Sequence, residues 1–208
     1  MAKQVYLGED IHIAPHITGK RDESGELVII DDPTDERLYP NHCIEHKIRI
    51  FERQVNGWFL TPAFKLLEED NGFVILMIAT AYIEGIEQFR QGKSSKGQSE
   101  AFFKKGARRI FGIDSCSQSR VSDLYRELRC NLFHNGMTGP TIRILSTYDK
   151  AVDFSDRRII KINQRLFLGK VRDDFEQYLR DLRDPAKVEL RTHFNTMYGF
   201  GENGTSRP

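Results

Sequence analysis

The sequence has few cysteines, and their number and spacing argue against the class of small secreted proteins that disulfides hold together. Its 208 residues include only three cysteines, an odd number that cannot pair completely, and no two of them form a Cys-x-x-Cys motif. Cys43, Cys116 and Cys130 are therefore expected to be reduced thiols in a protein of a reducing compartment.

The sequence also lacks an excess of charge of either sign and a long apolar run. Thirty-one basic residues against 30 acidic ones give a formal net charge of +1, which argues against binding of polyanions through overall charge but allows a local basic patch. The most apolar segment, 73–83, is followed by Glu84 and is too short to span a bilayer. With no secretory signal evident, we expect a soluble, cytoplasmic protein without a membrane partner.

Two flanking segments show no helical periodicity. Residues 1–40 are rich in Asp, Glu, Gly and Pro, which predicts an irregular N-terminal arm or a short β-element. Residues 186–208 predict a C-terminal extension whose Gly-rich end is frayed.

Helical periodicity dominates the region between them. Apolar residues recur at spacings of three and four in a series of segments, and these lie near 42–56, 58–69, 72–91, 99–111, 119–135 and 163–183. Alternating apolar residues in 141–147 and 158–162 predict a small β-hairpin inserted between helices. The predicted fold class is therefore all-α, a bundle of five or six helices over residues 41–185.

One predicted helix ends in the sequence Arg129-Cys130-Asn131-Leu132-Phe133-His134, which we regard as the chemical centre. A histidine side chain titrates near neutral pH and can act as a general acid or base. An arginine offers a planar fork of donors to phosphate oxygens that gain charge in a transition state. Together they suit metal-free RNA cleavage, in which a ribose 2′-OH attacks the adjacent phosphate. The alternative is a solvated arginine and a histidine favoured by the helix dipole.

The spacing of the two side chains is an obstacle to a site within one chain. Five residues along an ideal helix separate Arg129 and His134 by about 140° around its axis. They can converge only if the last turn loosens before Gly136, or if the arginine of one subunit meets the histidine of another. A homodimer is therefore expected.

The segment 124–136, LYRELRCNLFHNG, closely resembles the motif segment of HEPN-domain proteins, whose signature is Arg-x4–6-His. The resemblance runs from about residue 44 to residue 184, although the flanking helices match only in order and pattern. It implies an all-α fold that commonly dimerises, with the motifs of two subunits facing each other in a cleft. It also implies a metal-independent endoribonuclease of a toxin–antitoxin or other defence system, without a cofactor and with RNA and an antitoxin or regulatory protein as partners.

The resemblance also assigns site residues by position. Arg129 is the motif arginine and His134 the motif histidine, and the polar supporting role falls to Asn131 because Cys130 occupies the usual polar place. Glu84 corresponds to an acid that some members have near the motif arginine; the alternative is an exposed glutamate beside Glu87. Other HEPN-like members are non-catalytic modules that bind a nucleotide, RNA or a partner protein, and Cys130 and the near-neutral charge favour that second hypothesis.

Two further clusters yield weaker hypotheses. Lys104, Lys105, Arg108 and Arg109 lie on one helical stretch and could form an RNA-binding face with Arg120 and Arg126, or an ordinary solvated face. The residues predicted to bind RNA are Lys104, Lys105, Arg108 and Arg126. His42 and His46 have the i, i+4 spacing of zinc ligands, which suggests a zinc-dependent hydrolase as a third hypothesis. The pair is not part of a His-Glu-x-x-His motif and no third ligand is evident, so we expect no metal site.

Overall fold

The structure is a computed structural model that describes residues 10–69, 71–114 and 118–199. The helices are α1 (Ile44–Val55), α2 (Thr61–Lys65), α3 (Gly72–Gln91), α4 (Ser99–Phe111), α5 (Gln118–Leu124), α6 (Asn131–Asn135), α7 (Gln164–Arg183) and α8 (Val188–Met197). Two π-helical segments join consecutive helices without a break: the first π segment, Asn56–Leu60, links α1 to α2, and the motif π segment, Tyr125–Cys130, links α5 to α6.

The prediction of an all-α fold is wrong, because the described chain also contains two β-sheets. The strands are β1 (Asp10–Ala14), β2 (Ile17–Arg21), β3 (Leu27–Asp31), β4 (Glu36–Leu38), β5 (Ile142–Ile144), β6 (Val152–Asp153) and β7 (Ile160–Ile162). The first four form an antiparallel sheet in the order β1-β2-β3-β4, and the others form a sheet in the order β5-β7-β6. The protein is an α+β protein.

The N-terminal segment, predicted as an irregular arm or a short β-element, forms a four-stranded sheet. Its strands have three to five residues, so turn residues make up much of the segment and its composition resembles that of a loop. In the turn before β3, the Asp22 carboxylate accepts hydrogen bonds from the backbone N–H groups of Ser24 and Glu26, both at 3.0 Å. The apolar side chains of one sheet face pack around Ile50 of α1 in a small core. This burial stabilises the strands, and the composition of the segment alone does not show it.

Ion pairs also attach the N-terminal sheet to α1. Asp31 at the end of β3 is buried and lies 3.4 Å from Arg49 and 3.3 Å from Arg53. The Gln54 amide donates a hydrogen bond to the Ile13 carbonyl at 2.8 Å. A buried carboxylate needs such partners, because burying it alone would be costly. The sheet therefore rests on α1 through both apolar and charged contacts.

Glu36 is expected to make this attachment sensitive to acid. Arg49 and His46 face its carboxylate, and the hydrogen bond from Arg49 is the main reason that the pKa of Glu36 lies below its ordinary value of 4.5. Because the folded-state pKa is lowered, the stabilisation is present at neutral pH and is lost as the pH falls through that pKa. Glu36→Gln should therefore lower the urea midpoint at pH 7, and the difference from the wild type should shrink as the pH falls below 4.5 and through the lowered pKa of Glu36.

Glu68→Gln is the matched control for Glu36→Gln. Glu68 is exposed, and its side chain has no hydrogen bond or ion pair within the described ranges. Its replacement should leave the urea midpoint close to that of the wild type at both pH values. A loss for Glu36→Gln that is the same at neutral and acidic pH would contradict the assigned role of the Glu36 carboxylate.

α3 forms the centre of the helical core. Its buried residues include Ile75, Leu76, Ala79 and Ile83, and it packs against α4, α7 and α8. A side chain at Gly106 of α4 would approach the Ile83 carbonyl oxygen to 2.7 Å, so glycine allows the two helices to pack closely. Of the helices that the structure describes, α3 alone has the length and composition to cross a membrane, which core helices of soluble proteins often have as well.

The second sheet differs from the predicted hairpin because its first strand pairs in parallel. β5 runs parallel to β7, and β6 pairs with β7 in the antiparallel sense. The buried side chain of Asn163 joins this sheet to α7, since its amide donates to the carbonyls of Ser146 and Tyr148 at 2.7 and 2.6 Å. Its carbonyl oxygen caps α7 by accepting from the N–H groups of Arg165 and Leu166.

Candidate functional site

The motif helix is continuous from Gln118 to Asn135 but changes its winding inside the motif. The motif π segment, Tyr125–Cys130, includes Arg129, and α6 then returns to α-helical geometry up to Gly136, whose φ is 68°. A π turn inserts an extra residue into a helix and is found most often at functional sites. The helix therefore loosens at Tyr125–Cys130 and not in the last turn before Gly136.

Arg129 is held by a buried glutamate of α3. Its Nη2 lies 2.8 Å from Oε2 of Glu84, which is 8% exposed. The other carboxylate oxygen of Glu84 accepts a 2.7 Å hydrogen bond from the buried hydroxyl of Ser95. An ion pair with both carboxylate oxygens engaged fixes the direction of the guanidinium group. The structure thus brings the two predicted residues Arg129 and Glu84 together. We call the hydrogen-bonded series Ser95–Glu84–Arg129 the arginine anchor.

The alternative interpretation of an exposed acidic face on α3 is wrong. Glu84 is nearly buried, and Glu87 is only 2% exposed. Glu87 lies 3.3 Å from both Lys105 and Arg109 of α4, so α3 presents two buried carboxylates to basic residues of neighbouring helices. Isolated burial of either carboxylate would be costly, and these partners compensate for it.

Aromatic rings enclose the Arg129 guanidinium on its other sides. Its centre lies 4.8 Å from the ring centroid of Phe133 and 5.7 Å from that of Tyr125, distances typical of cation–π contacts. Its Nε is buried and has no hydrogen-bond partner within the described residues. Burial, and secondly a hydrogen bond with Cys130, raise the pKa of Tyr125 to about 12. Tyr125 is therefore neutral at physiological pH and cannot serve as a base there.

His134 stands apart from this cluster. It is exposed near the end of α6, and neither ring nitrogen has a hydrogen bond or ion pair in the part of the chain that the structure describes. No hydrogen bond joins it to Arg129, whose guanidinium contacts Glu84 instead. One chain therefore provides a fixed cation and an accessible imidazole near each other in sequence, but not a directly bonded pair.

Asn131 contacts the loop after the motif helix. Its side-chain oxygen accepts a hydrogen bond from the Asn135 amide at 3.2 Å, and Gly139 passes close to its other side. A Cβ atom at Gly139 would lie 2.7 Å from the Asn131 amide nitrogen and would overlap the Glu127 carboxylate. The Gly139 N–H donates to the Glu127 carbonyl at 2.7 Å. Asn131 therefore helps to dock this loop, and no contact with Arg129 is present among its hydrogen bonds.

Gly139→Ala is expected to destabilise the fold by about 1–3 kcal/mol, the usual cost of overpacking. The added methyl group must displace the Glu127 carboxylate or lift the loop from the motif helix. Urea denaturation measures this loss. The control is Gly169→Ala in the interior of α7, where a Cβ atom meets nothing within 4 Å and should stabilise by about 0.5–1 kcal/mol. Equal effects of the two substitutions would contradict the close approach at Gly139.

Most of the predicted RNA-binding side chains are paired with carboxylates. The pairs are Lys104–Glu100, Lys105–Glu87 and Arg126–Asp123, at 3.3, 3.3 and 2.8 Å. The fourth candidate, Arg108, has buried Nε and Nη2 atoms without partners in the described ranges. The four residues therefore do not form a continuous face of free cations, and their contact with RNA stays a prediction.

The two histidines at i, i+4 spacing are not arranged as metal ligands. His46 uses Nδ1 to accept a hydrogen bond from the Tyr39 backbone N–H at 2.9 Å, and its Nε2 lies 3.4 Å from Glu36. His42 is exposed. Within residues 10–69, 71–114 and 118–199, no group of three or more His, Cys, Asp or Glu side chains could hold a metal ion.

Ser95 is the site residue that sequence reasoning missed. It lies in the loop GKSSKGQS between α3 and α4, where its polar neighbours make it look like an ordinary solvated residue. Only the fold of this loop against α3, with the Ser95 N–H donating to the Gln88 side chain at 3.0 Å, shows that it is buried. No spacing rule in the sequence identifies it.

Comparison of the chain with protein-family models, with curated proteins and with solved structures finds no match. The resemblance to HEPN-domain proteins therefore depends on residues 124–136 and on the order of the surrounding helices.

Proposed function

We propose that the protein is a HEPN-like, metal-independent endoribonuclease that cleaves RNA through attack of the ribose 2′-OH. One observation carries this proposal: the arginine anchor fixes Arg129 beside the end of the same helix that leaves His134 accessible and without a partner among the described residues. Fixed cations that face developing charge are the main source of catalysis at phosphate. An accessible imidazole supplies the proton transfer.

The proposed reaction is a transesterification. The His134 imidazole takes the proton of the 2′-OH, and the resulting oxygen attacks the adjacent phosphorus. The bond from phosphorus to the 5′ oxygen breaks, and that oxygen receives a proton from a second imidazolium. The products are a 2′,3′-cyclic phosphate and a 5′-hydroxyl. Arg129 stabilises the additional negative charge on the phosphate oxygens through guanidinium donors that Glu84 does not use.

A homodimer would supply the second imidazole. Phe133 and Met137 flank His134 in sequence and are both exposed. Large exposed apolar side chains are favourable to bury in a contact between copies, and in a two-fold contact each copy uses the same surface. Such a contact would place the two His134 side chains near one cleft. Sedimentation of the wild type and of Met137→Asp tests this: we expect a dimer for the first and a shift towards monomer for the second.

Incubation of the purified protein with total RNA in EDTA tests the activity. The expected result is a set of fragments whose 3′ ends carry 2′,3′-cyclic phosphate, detected by their resistance to ligation until the cyclic phosphate is opened and removed. Fragments that carry only 3′-hydroxyl groups would contradict attack by the 2′-OH. Chelation excludes contaminating metal-dependent nucleases, and His134→Ala prepared in parallel excludes metal-independent ones.

The second candidate function is that of a non-catalytic HEPN-like module that binds a nucleotide, RNA or a partner protein. The pairing of basic side chains with carboxylates favours this second function, because paired cations attract phosphate less strongly. Glu84 pairs with Arg129, and other carboxylates pair with Lys104, Lys105 and Arg126. The same incubation separates the two functions. RNA retained by the protein without any fragments would support the module and contradict the nuclease.

A further inference from the structure

A cavity of about 350 Å³ opens between the first π segment and the middle of α3, away from the residues of the proposed nuclease site. Its volume is within the range of about 300–1,000 Å³ that small-molecule pockets have. Its walls are almost entirely apolar, and they include the rings of Phe51, Phe59, Phe89 and Trp58.

The polar side chains of Gln54, Tyr82 and Tyr198 in the cavity wall already have hydrogen-bond partners. The Gln54 amide donates to the Ile13 carbonyl at 2.8 Å and accepts from the Tyr198 hydroxyl at 2.6 Å. The Tyr82 hydroxyl donates to Asp174 at 3.0 Å. A ligand that brings a polar group into the cavity would lose its hydrogen bonds to water without replacing them, which is costly. The wall therefore selects an apolar occupant.

Gly85 lines the cavity and leaves space next to α3. It lies in the interior of α3, where glycine is destabilising relative to alanine, and a Cβ atom built there meets nothing within 4 Å. Gly106 provides the contrast, because a side chain there would collide with the Ile83 carbonyl. Packing thus explains the glycine at 106 but not the one at 85. A side chain at Gly85 would instead occupy the cavity that this residue lines.

The first π segment presents two large rings at the same cavity. Trp58 and Phe59 line it and are 42% and 48% exposed. The N-terminal sheet holds this segment in place, because Gly57 lets Pro15 pack directly on the backbone and the His12 ring lies 5.9 Å from the Trp58 ring. π turns are frequent at functional sites, and here the turn places two exposed aromatic rings beside an apolar cavity.

We infer that this cavity is a binding site for the hydrocarbon chain of a small amphipathic ligand. The satisfied polar wall excludes polar groups from the interior, the missing side chain of Gly85 provides the space, and the exposed rings of Trp58 and Phe59 cover the chain where it enters. The polar end of the ligand stays in water at the opening. This inference is independent of the nuclease proposal, since none of its residues belongs to the arginine anchor or to the motif helix.

Titration with 1-decanol tests the inference through the fluorescence of Trp58, the single tryptophan of the chain. The wild type should show a saturable change in the emission of Trp58. The same titration with 1,10-decanediol should give binding weaker by about tenfold or more, because one hydroxyl must enter the wall region without a partner. Equal affinity for the two compounds would overturn the inference, as would the absence of a saturable response up to the solubility limit of decanol.

Gly85→Leu is the blocking variant, and Gly85→Ala is its matched control. Leucine should fill the cavity and weaken decanol binding by about tenfold or more, whereas alanine should leave most of the space and bind nearly as the wild type does. If Gly85→Leu does not fold, Ala81→Leu in the same wall replaces it with the same expected result. Unchanged decanol binding in a folded leucine variant would overturn the inference. A change of Trp58 emission with protein concentration in the absence of decanol would also overturn the inference, because a second copy of the chain would then cover Trp58.

Discussion

Arg129→Ala is expected to destabilise the protein by about 3–5 kcal/mol, the cost of leaving one partner of a buried ion pair alone. Glu84 would lose the cation at 2.8 Å and keep only the Ser95 hydroxyl as a partner. Urea denaturation at neutral pH measures this loss. The double variant Arg129→Leu with Glu84→Leu should recover much of it, because two apolar side chains leave no uncompensated charge.

Arg126→Ala is the matched control on the same helix. Arg126 pairs with Asp123 and Glu127, but its side chain is 64% exposed. Exposed ion pairs contribute about 0–1 kcal/mol, so this variant should unfold close to the wild type. If Arg126→Ala and Arg129→Ala lost the same amount of stability, the arginine anchor would not be a buried structural unit.

His134→Ala is expected to lower the rate of RNA cleavage by about 10²–10⁴-fold, the usual contribution of a general acid or base. The thermal midpoint of unfolding should stay within a degree or so of the wild type, because surface substitutions without partners change stability little. His134 is exposed and unpaired among the described residues. Single-turnover cleavage of a labelled RNA, together with calorimetry, measures both quantities.

His42→Ala is the control for the loss of an exposed histidine. His42 lies just before α1, outside the motif helix, so its replacement should leave both cleavage and stability unchanged. Equal cleavage by His134→Ala and the wild type would exclude His134 as the catalytic residue. Equal losses in both histidine variants would point to a nonspecific cause.

The helical core was predictable because its signals are local. The helices predicted near 99–111 and 119–135 end at Gly112 and Gly136, which have positive φ values of 62° and 68°. In the second of these segments Leu124, Leu128 and Leu132 recur at a spacing of four, and all three residues are buried. These predictions are confirmed, since a helix needs only its own residues to form the pattern.

The sheets were not predictable in the same way, because their pairing depends on contacts between distant residues. β5 pairs in parallel with β7, 18 residues further along between Ile142 and Ile160, and a run such as RIIKI contains no information about the direction of its neighbour. The N-terminal strands gain stability from Ile50 of α1, which local composition cannot show. Four short strands with turn residues between them therefore have a composition similar to that of an irregular arm.

The candidate site was predictable in its residue types but not in its geometry. Arg129 and His134 were identified from their motif. For Glu84 two interpretations were open, an acid near the motif arginine and an exposed glutamate beside Glu87. A π turn cannot be seen in a pattern read with 3.6 residues per turn, so the π segment at Tyr125–Cys130 was not predicted. Ser95 required the fold of its loop. The structure shows that Glu84 fixes Arg129 and that His134, on the same helix, has no side-chain partner in the part of the chain that the structure describes.

The most direct test of the proposed function uses an RNA substrate with a mapped cleavage position. The same strand is prepared with a single 2′-deoxynucleotide on the 5′ side of the scissile phosphate, and both strands are incubated with the wild-type protein in EDTA. Cleavage at that position is expected in the RNA strand and should be abolished in the substituted strand, because the attacking oxygen is missing. Cleavage of both strands at that position and at the same rate would contradict 2′-OH attack and, with it, the proposed roles of His134 and Arg129.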